Sequence, residues 1–388
     1  MFFKNIFLIV CIIWVNSGFS QTNVVVGQKQ VIHSKILNED REYQIYLPGS
    51  YQWAADRSYP VLFVLDGESN FLHSTGSVSF LSAWGEIPEL IVVGINSSVR
   101  IRDYTQTDWS THWHGGGGAK NFKSFLSEEL IPKVEKDFRT NGFRILFGHS
   151  AAGQFVLYTL TDEPSLFNAY FAISPDLTWD DRLPQRSLEE SFNHTDSLKA
   201  FLYFAWSDDS GGALADDQKL LITLETKSPK DFRWIGKSFP DETHVSVPLL
   251  AQIDALRQLY AGYRFHDDDL DKGLKFAEKH FQEVSKMVGY EIPIPEDVIN
   301  NFGYEALDNG KIQEAIEFFK RDIKQNPNSA NAFDSITDAY DKAGMLKEAV
   351  ESSEKAVELA NKFNNPNREY IINHAKKIKK KLKSNELK

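Results

Sequence analysis

The sequence predicts an α/β fold, a mostly parallel sheet flanked by helices, followed by an all-α tail. Three observations predict it. Continuous apolar runs such as Val61-Leu62-Phe63-Val64-Leu65 and Leu90-Ile91-Val92-Val93 read as strands buried on both faces. From Arg41 to about Gly262 such runs alternate with helix-length segments, as βαβ units require. After Tyr263 the strand runs stop, and the chain becomes charged and helical in period.

The elements follow in chain order. Lys4 precedes an apolar run from Ile6 to Val15, and Asn16-Ser17-Gly18-Phe19-Ser20 follows. This is the pattern of a secretory leader over residues 1–20, cleaved after Ser20. The run is too short to span a bilayer, so no membrane span is expected and the protein is placed in the periplasm or outside the cell. Cys11 is the sole cysteine, and Val10 before it does not suit a lipoprotein anchor. Without the leader the chain has no disulfide and no thiolate chemistry. A net charge of −11 argues against general affinity for nucleic acid, which needs basic surface.

Residues 21–263 form the expected first domain. Its predicted strands are Tyr43–Leu47, Val61–Leu65, Leu90–Ile95, Arg144–Phe147, Tyr170–Ile173, Phe201–Ala205 and Arg233–Ser238. Its predicted helices include Asn121–Asp137, Ala151–Leu160, Asp216–Thr226 and Pro248–Tyr260.

Residues 264–295 read as a helical connector and 296–388 as repeats. At an offset of 34, Gly310 pairs with Gly344, Glu314 with Glu348 and Ala315 with Ala349. Gly303, Ala306, Ala315, Phe319 and Pro327 mark a first unit, and Phe333, Tyr340, Ala349 and Ala356 a second. This period resembles tetratricopeptide repeats, from which the second unit departs at Thr337, Ser353 and Asn361. Arg368–Lys383 reads as a capping helix whose lysines form a solvated face. The tail is expected to dock on the first domain or to hold a protein partner.

The chemistry is carried by Arg144-Ile145-Leu146-Phe147-Gly148-His149-Ser150-Ala151-Ala152-Gly153. A strand runs into Gly-x-Ser and a helix follows at once, the context of a nucleophile elbow of an α/β hydrolase. Small residues must flank the serine because the backbone there is strained and tightly packed, and here Ala152 replaces the usual second glycine. In that fold the order is serine, acid, histidine. Asp208 and Asp209 follow the Phe201–Ala205 strand, and His244 stands in a polar loop after Arg233–Ser238. His149 reads as a structural neighbour of the serine. His112 and His114 lack a third residue at metal-ligand spacing, so no metal is expected.

From about Val31 to Tyr263 the chain resembles the Putative esterase family of α/β hydrolases, which includes enterochelin and other siderophore esterases and feruloyl and acetylxylan esterases. The resemblance is carried by Tyr59-Pro60-Val61-Leu62, Leu65-Asp66-Gly67, Val92-Val93-Gly94-Ile95, Arg102-Asp103-Tyr104-Thr105, Glu128-Glu129-Leu130-Ile131-Pro132, the serine segment, Ala172-Ile173-Ser174-Pro175 and Thr243-His244-Val245-Ser246-Val247-Pro248. It implies Ser150 as nucleophile, His244 as general base and Asp208 as acid, with Asp209 the alternative. It also implies an oxyanion hole from the backbone N–H groups of Ala151 and Glu68, with Gly67 letting the backbone approach the substrate. No cofactor is implied. Arg102, Tyr104 and Trp109 are the candidate substrate contacts, and Trp113 adds to the aromatic loop. The expected substrate is a small-molecule or oligosaccharide ester. Feruloyl or acetyl esters of carbohydrates are favoured, because only Arg100 and Arg102 stand out as cations for an anionic siderophore ester. A non-catalytic binding protein on the same scaffold is the reading from another class.

Overall fold

A computed structural model describes residues 23–112, 115–207 and 212–387. The leader, Trp113, His114, Asp208 and Asp209 lie outside the described residues. Eight strands make one sheet: β1 (Gln28–Ser34), β2 (Glu39–Tyr46), β3 (Tyr59–Leu65), β4 (Ile91–Ile95), β5 (Thr140–His149), β6 (Ala169–Ile173), β7 (Phe201–Trp206) and β8 (Arg233–Ser238). Their order is β1-β2-β4-β3-β5-β6-β7-β8. β1 pairs antiparallel with β2, and β2 with β4; from β4 to β8 every pairing is parallel.

The helices of this region are α1 (Gly67–Ala83), α2 (Arg100–Tyr104), α3 (Ala119–Phe125), α4 (Ile131–Asp137), α5 (Ala151–Asp162), α6 (Trp179–Asn193), α7 (Gly212–Lys227) and α8 (Val247–Leu259). The helices divide between the sheet's faces as the strand alternation dictates. Val61, Phe63 and Leu65 of β3 pack with residues of α2 to α7, while Leu62 and Val64 pack with α1 and α8.

All seven expected strands are present, and β5 is longer than its apolar run because it lies between β3 and β6. β1 carries no apolar run: Gln-Lys-Gln-Val-Ile-His-Ser is an edge strand, largely exposed, held by the ladder to β2. α1 is rich in Ser, Gly and Thr, so local propensity hides it; burial of Phe71, Val78 and Leu81 makes it helical. The helix expected over 121–137 is α3, a π-helical turn at Leu126–Leu130, and α4. Pro132, near the start of α4, has no N–H to continue the ladder.

The tail holds α9 (Leu274–Val288), α10 (Glu296–Asp308), α11 (Ile312–Gln325), α12 (Ala330–Lys342), α13 (Leu346–Lys362) and α14 (Arg368–Glu386). Gly310 and Gly344 turn the chain between helices with φ of 72° and 73°. Gly303 of α10 meets Phe319 of α11 so closely that a Cβ would lie 2.3 Å from the ring. Thirty-four residues on, these two positions are Thr337 and Ser353, both fully buried. A large ring against no side chain has become two small residues, which keeps the packing volume.

The segment expected as a helical connector, residues 264–295, carries α9 and packs on the sheet. Ala277, Phe281, Val284 and Val288 of α9, with Val298, Ile299 and Phe302 of α10, share one core with Phe147 and Phe171 of the sheet. The sheet's second face is therefore covered by α1, α8 and the start of the tail.

Candidate active site

The parallel strands β3 to β8 all end on one edge of the sheet, and every turn that concerns the site leaves from there. β5 ends at His149 and α5 starts at Ala151. Ser150 alone makes the turn, with φ 61° and ψ −122°. A non-glycine residue in that region costs about 1–3 kcal/mol. The neighbours hold it there: its N–H donates to Ile173 O at 3.0 Å, and its carbonyl accepts from Asp176 N–H at 3.1 Å and Gln154 N–H at 3.0 Å.

The glycines show why small residues are needed. A Cβ on Gly148 would lie 2.3 Å from the Ala152 carbonyl oxygen, and one on Gly153 would lie 3.0 Å from Ile173 O and Pro175 Cα. Ala152 is fully buried, and its methyl is accommodated. The tight contacts thus fall at Gly148 and Gly153. At the first turn of α5 the backbone N–H groups have no intrahelical partner, so Ala151 presents a free donor beside Ser150.

His244 lies in the exposed loop between β8 and α8. Its ring stands 4.6 Å from the ring of His149, centroid to centroid. This neighbour of the serine therefore packs directly against the histidine of the β8–α8 loop. Burial first, then the charge of His244, pushes His149 down to about 4, and its Nε2 is buried without a partner. His149 is therefore neutral at ordinary pH. Among the described residues no hydrogen bond joins Ser150 to His244; such bonds commonly tighten only with substrate bound. The loop that would carry Asp208 or Asp209 follows β7 on the same edge, outside the described residues.

On the other side of β5 the β3–α1 turn, with the expected donor Glu68, leaves the same edge of the sheet. Asp66, with φ 51° and ψ 51°, caps α1, and the N–H groups of Gly67 and Glu68 stand in its first turn. The Glu68 carboxylate takes hydrogen bonds from Ser97 N–H at 3.2 Å and Ser97 Oγ at 2.7 Å. A Cβ on Gly67 would strike β4, 2.6 Å from Gly94 C and 2.8 Å from Ile95 N. Packing of the turn on the sheet therefore requires a glycine there.

Two of the three candidate substrate contacts have their polar groups engaged by the protein. Tyr104 is fully buried, and its hydroxyl accepts from Asp66 N–H at 3.2 Å. It supports the β3–α1 turn from beneath, as a large apolar body with one polar tip suits. Arg102 is committed to Glu39 at 2.7 Å and to Asp103 at 2.7 Å, above the buried Arg41–Asp103 pair. Trp109 is half-buried, stacked on His112 at 4.8 Å and edge-on to Trp179 at 5.3 Å. Trp179 was not singled out from sequence; it follows the β6 turn that binds Ser150 O, and its Nε1 donates to Thr107 Oγ1 at 3.1 Å. The three left-handed residues after it, Asp180–Arg182, are the local trace of that unusual placement.

Residues 34–226 match the Putative esterase family. The chain is 32% identical over 185 residues to the ferri-bacillibactin esterase BesA of Bacillus subtilis, covering 42% of this chain and 63% of that one. It is 30% identical over 171 residues to the siderophore enterobactin esterase of Emericella nidulans, covering 37% and 56%. The chain thus spans less than two thirds of the length of these relatives. An IroE-like serine hydrolase of Shewanella oneidensis superposes with a TM-score of 0.66 at 28% identity, over 74% of this chain and 96% of that one. An uncharacterised protein of Capnocytophaga ochracea shares the fold at 18% identity, with a TM-score of 0.60 over 85% of this chain.

Proposed function

We propose that this protein is a serine carboxylic-ester hydrolase and that its substrate is a siderophore ester. The observation that carries the reaction is Ser150 held at φ 61° between β5 and the N-terminus of α5, with the His244 ring beside His149. Ser150 Oγ attacks the ester carbonyl while His244 takes its proton. The N–H groups of Ala151 and Glu68 receive the oxyanion. The imidazolium returns the proton to the leaving alkoxide, and water activated by His244 releases the acid. Asp208, or Asp209, orients the imidazole.

The substrate class rests on what the relatives are named for, two siderophore esterases. A feruloyl or acetyl ester of a carbohydrate is the second reading, supported by the aromatic wall of Trp109, His112 and Trp179. The deciding experiment compares turnover of a siderophore trilactone with that of feruloyl and acetyl sugar esters. A preference of at least about tenfold for the trilactone in kcat/KM is the expected result. Labelling by a fluorophosphonate, lost in Ser150→Ala, separates either reading from a non-catalytic binding protein. Residues 1–20 are proposed to export the chain, and the helices after α9 are proposed to be degenerate tetratricopeptide repeats that recruit a partner.

A further inference from the structure

Arg100 opens α2, in the segment after β4, and three parts of the site meet on it. Its Nε lies 3.1 Å and 3.0 Å from the two Asp66 carboxylate oxygens. Its Nη2 donates to the carbonyl of His149 at 3.0 Å. Its guanidinium sits 5.8 Å above the ring of Tyr104, whose hydroxyl takes the Asp66 N–H. Asp66 is the left-handed residue that starts α1, and His149 is the residue before Ser150. The two turns that would supply the oxyanion donors belong to different strands, and no hydrogen bond between their backbones is among those found in the described residues. The planar guanidinium of Arg100 spans them, with Nε on Asp66 and Nη2 on the His149 carbonyl.

We propose that Arg100 is a positioning residue that sets the distance between the Gly67–Glu68 N–H groups and Ser150, and that its charge is spent inside the protein rather than on the substrate. This inference rests on the ester-hydrolase reading given above. The chemistry fits a planar fork, which can hold a carboxylate and a carbonyl at fixed angles where an ammonium cannot. Asp66 is largely buried, and that burial raises its carboxyl against the opposing pull of Arg100. Remove Arg100, and the buried carboxylate loses its partner and the turn loses its fixed end. An oxyanion donor works only within a few tenths of an ångström of its place.

The test uses the full-length chain and a small, neutral p-nitrophenyl ester, which has no anionic group for an arginine to bind. Arg100→Ala is expected to lower kcat by about a hundredfold or more, the scale of losing one oxyanion donor, with KM within about threefold. Free guanidinium at non-denaturing concentration is expected to restore at least about tenfold of the lost kcat, and Arg100→Lys to remain low. A rise in KM with kcat unchanged makes Arg100 a substrate contact and overturns the proposal. So does a fall in kcat that guanidinium leaves untouched in protein with wild-type circular dichroism. If Arg100→Ala does not fold, Asp66→Asn carries the same test from the other end: at least about a tenfold loss of kcat supports the strut, and full activity refutes it. A wild-type protein that neither cleaves the ester nor reacts with a fluorophosphonate sinks the hydrolase reading, an outcome distinct from any of these.

Discussion

The carboxyl edge of the sheet and the helical tail treat the backbone in opposite ways. At the edge, Asp66, Ser150 and Ser174 take positive φ without being glycine, and Asp180–Arg182 do so in succession. His149 Nε2 and Ser174 Oγ are buried there without partners. From α9 onward Asn364 alone, among the described non-glycine residues, has positive φ, and the helix turns use Gly289, Gly310 and Gly344. The tail's buried His374 is clamped, with Nδ1 2.8 Å from Asp334 and Nε2 3.3 Å from Asp338, which also accepts from Tyr304 at 3.0 Å. Strained backbone persists only where the surroundings over-determine it, and such places gather at sites of chemistry. Unpaired buried polar atoms do not make the same distinction, since His280 Nε2, Asn300 Oδ1 and Asp322 Oδ2 of the tail are also buried without partners; the two regions differ in backbone strain.

The largest effect expected from breaking this contrast is at Ser150. Ser150→Ala should lower ester turnover by about a thousandfold or more and leave the melting temperature within about 2 °C. Residual activity above a tenth of wild type would put the nucleophile elsewhere.

The next effect concerns how separate the two regions are. Ile292, Ile294, Val298, Ile299 and Phe302 are buried in the core that covers the sheet. A chain ending at Tyr290 should lose much of its stability even though every candidate site residue is retained. Phe302→Ala in the full chain should cost about 3–5 kcal/mol and lower the single calorimetric transition as a whole. Two transitions, of which only the lower one moves, would show that the tail folds independently.

A smaller effect is relief of strain. Ser150→Gly should raise stability by about 1 kcal/mol while abolishing turnover, because glycine adopts φ 61° freely. An unchanged or lower melting temperature would show that the elbow stores no strain.

The smallest effects are opposite pH slopes. His374 is raised from 6.5 to about 10 by its two aspartates, so its stabilisation is complete below about 6.5 and is lost as pH climbs through about 10. His149 is lowered from 6.5 to about 4 by burial, so the fold excludes a proton that the unfolded chain binds. Its stability contribution falls as pH drops from about 6.5 towards about 4. Thermal unfolding followed from pH 4 to pH 10 should show His374→Gln flattening the alkaline limb and His149→Gln the acid one. Exchange of those assignments would refute the contrast at its two histidines.

Much of this protein was determined by the sequence alone. Apolar runs buried on both faces place β3, β4, β6 and β7, because a strand covered on both sides has no polar position to spare. Gly148 and Gly153 around Ser150 are legible because only small residues fit a turn packed at 2.3 Å and 3.0 Å. After residue 296 the sequence matches itself at an offset of 34, and the matched Gly310 and Gly344 each turn the chain between two helices with positive φ. Tertiary structure alone decided the rest. β1 is a strand because β2 offers it a ladder, and α1 is a helix because its few apolar residues meet the sheet. Tyr104 and Arg102 look like surface contacts in the sequence, yet one lies beneath Asp66 and the other is held by Glu39 and Asp103. Arg100, 34 residues from Asp66 and 49 from His149, joins two turns that no local pattern connects. Such partners are chosen by where the chain brings side chains together, and linear order does not encode that.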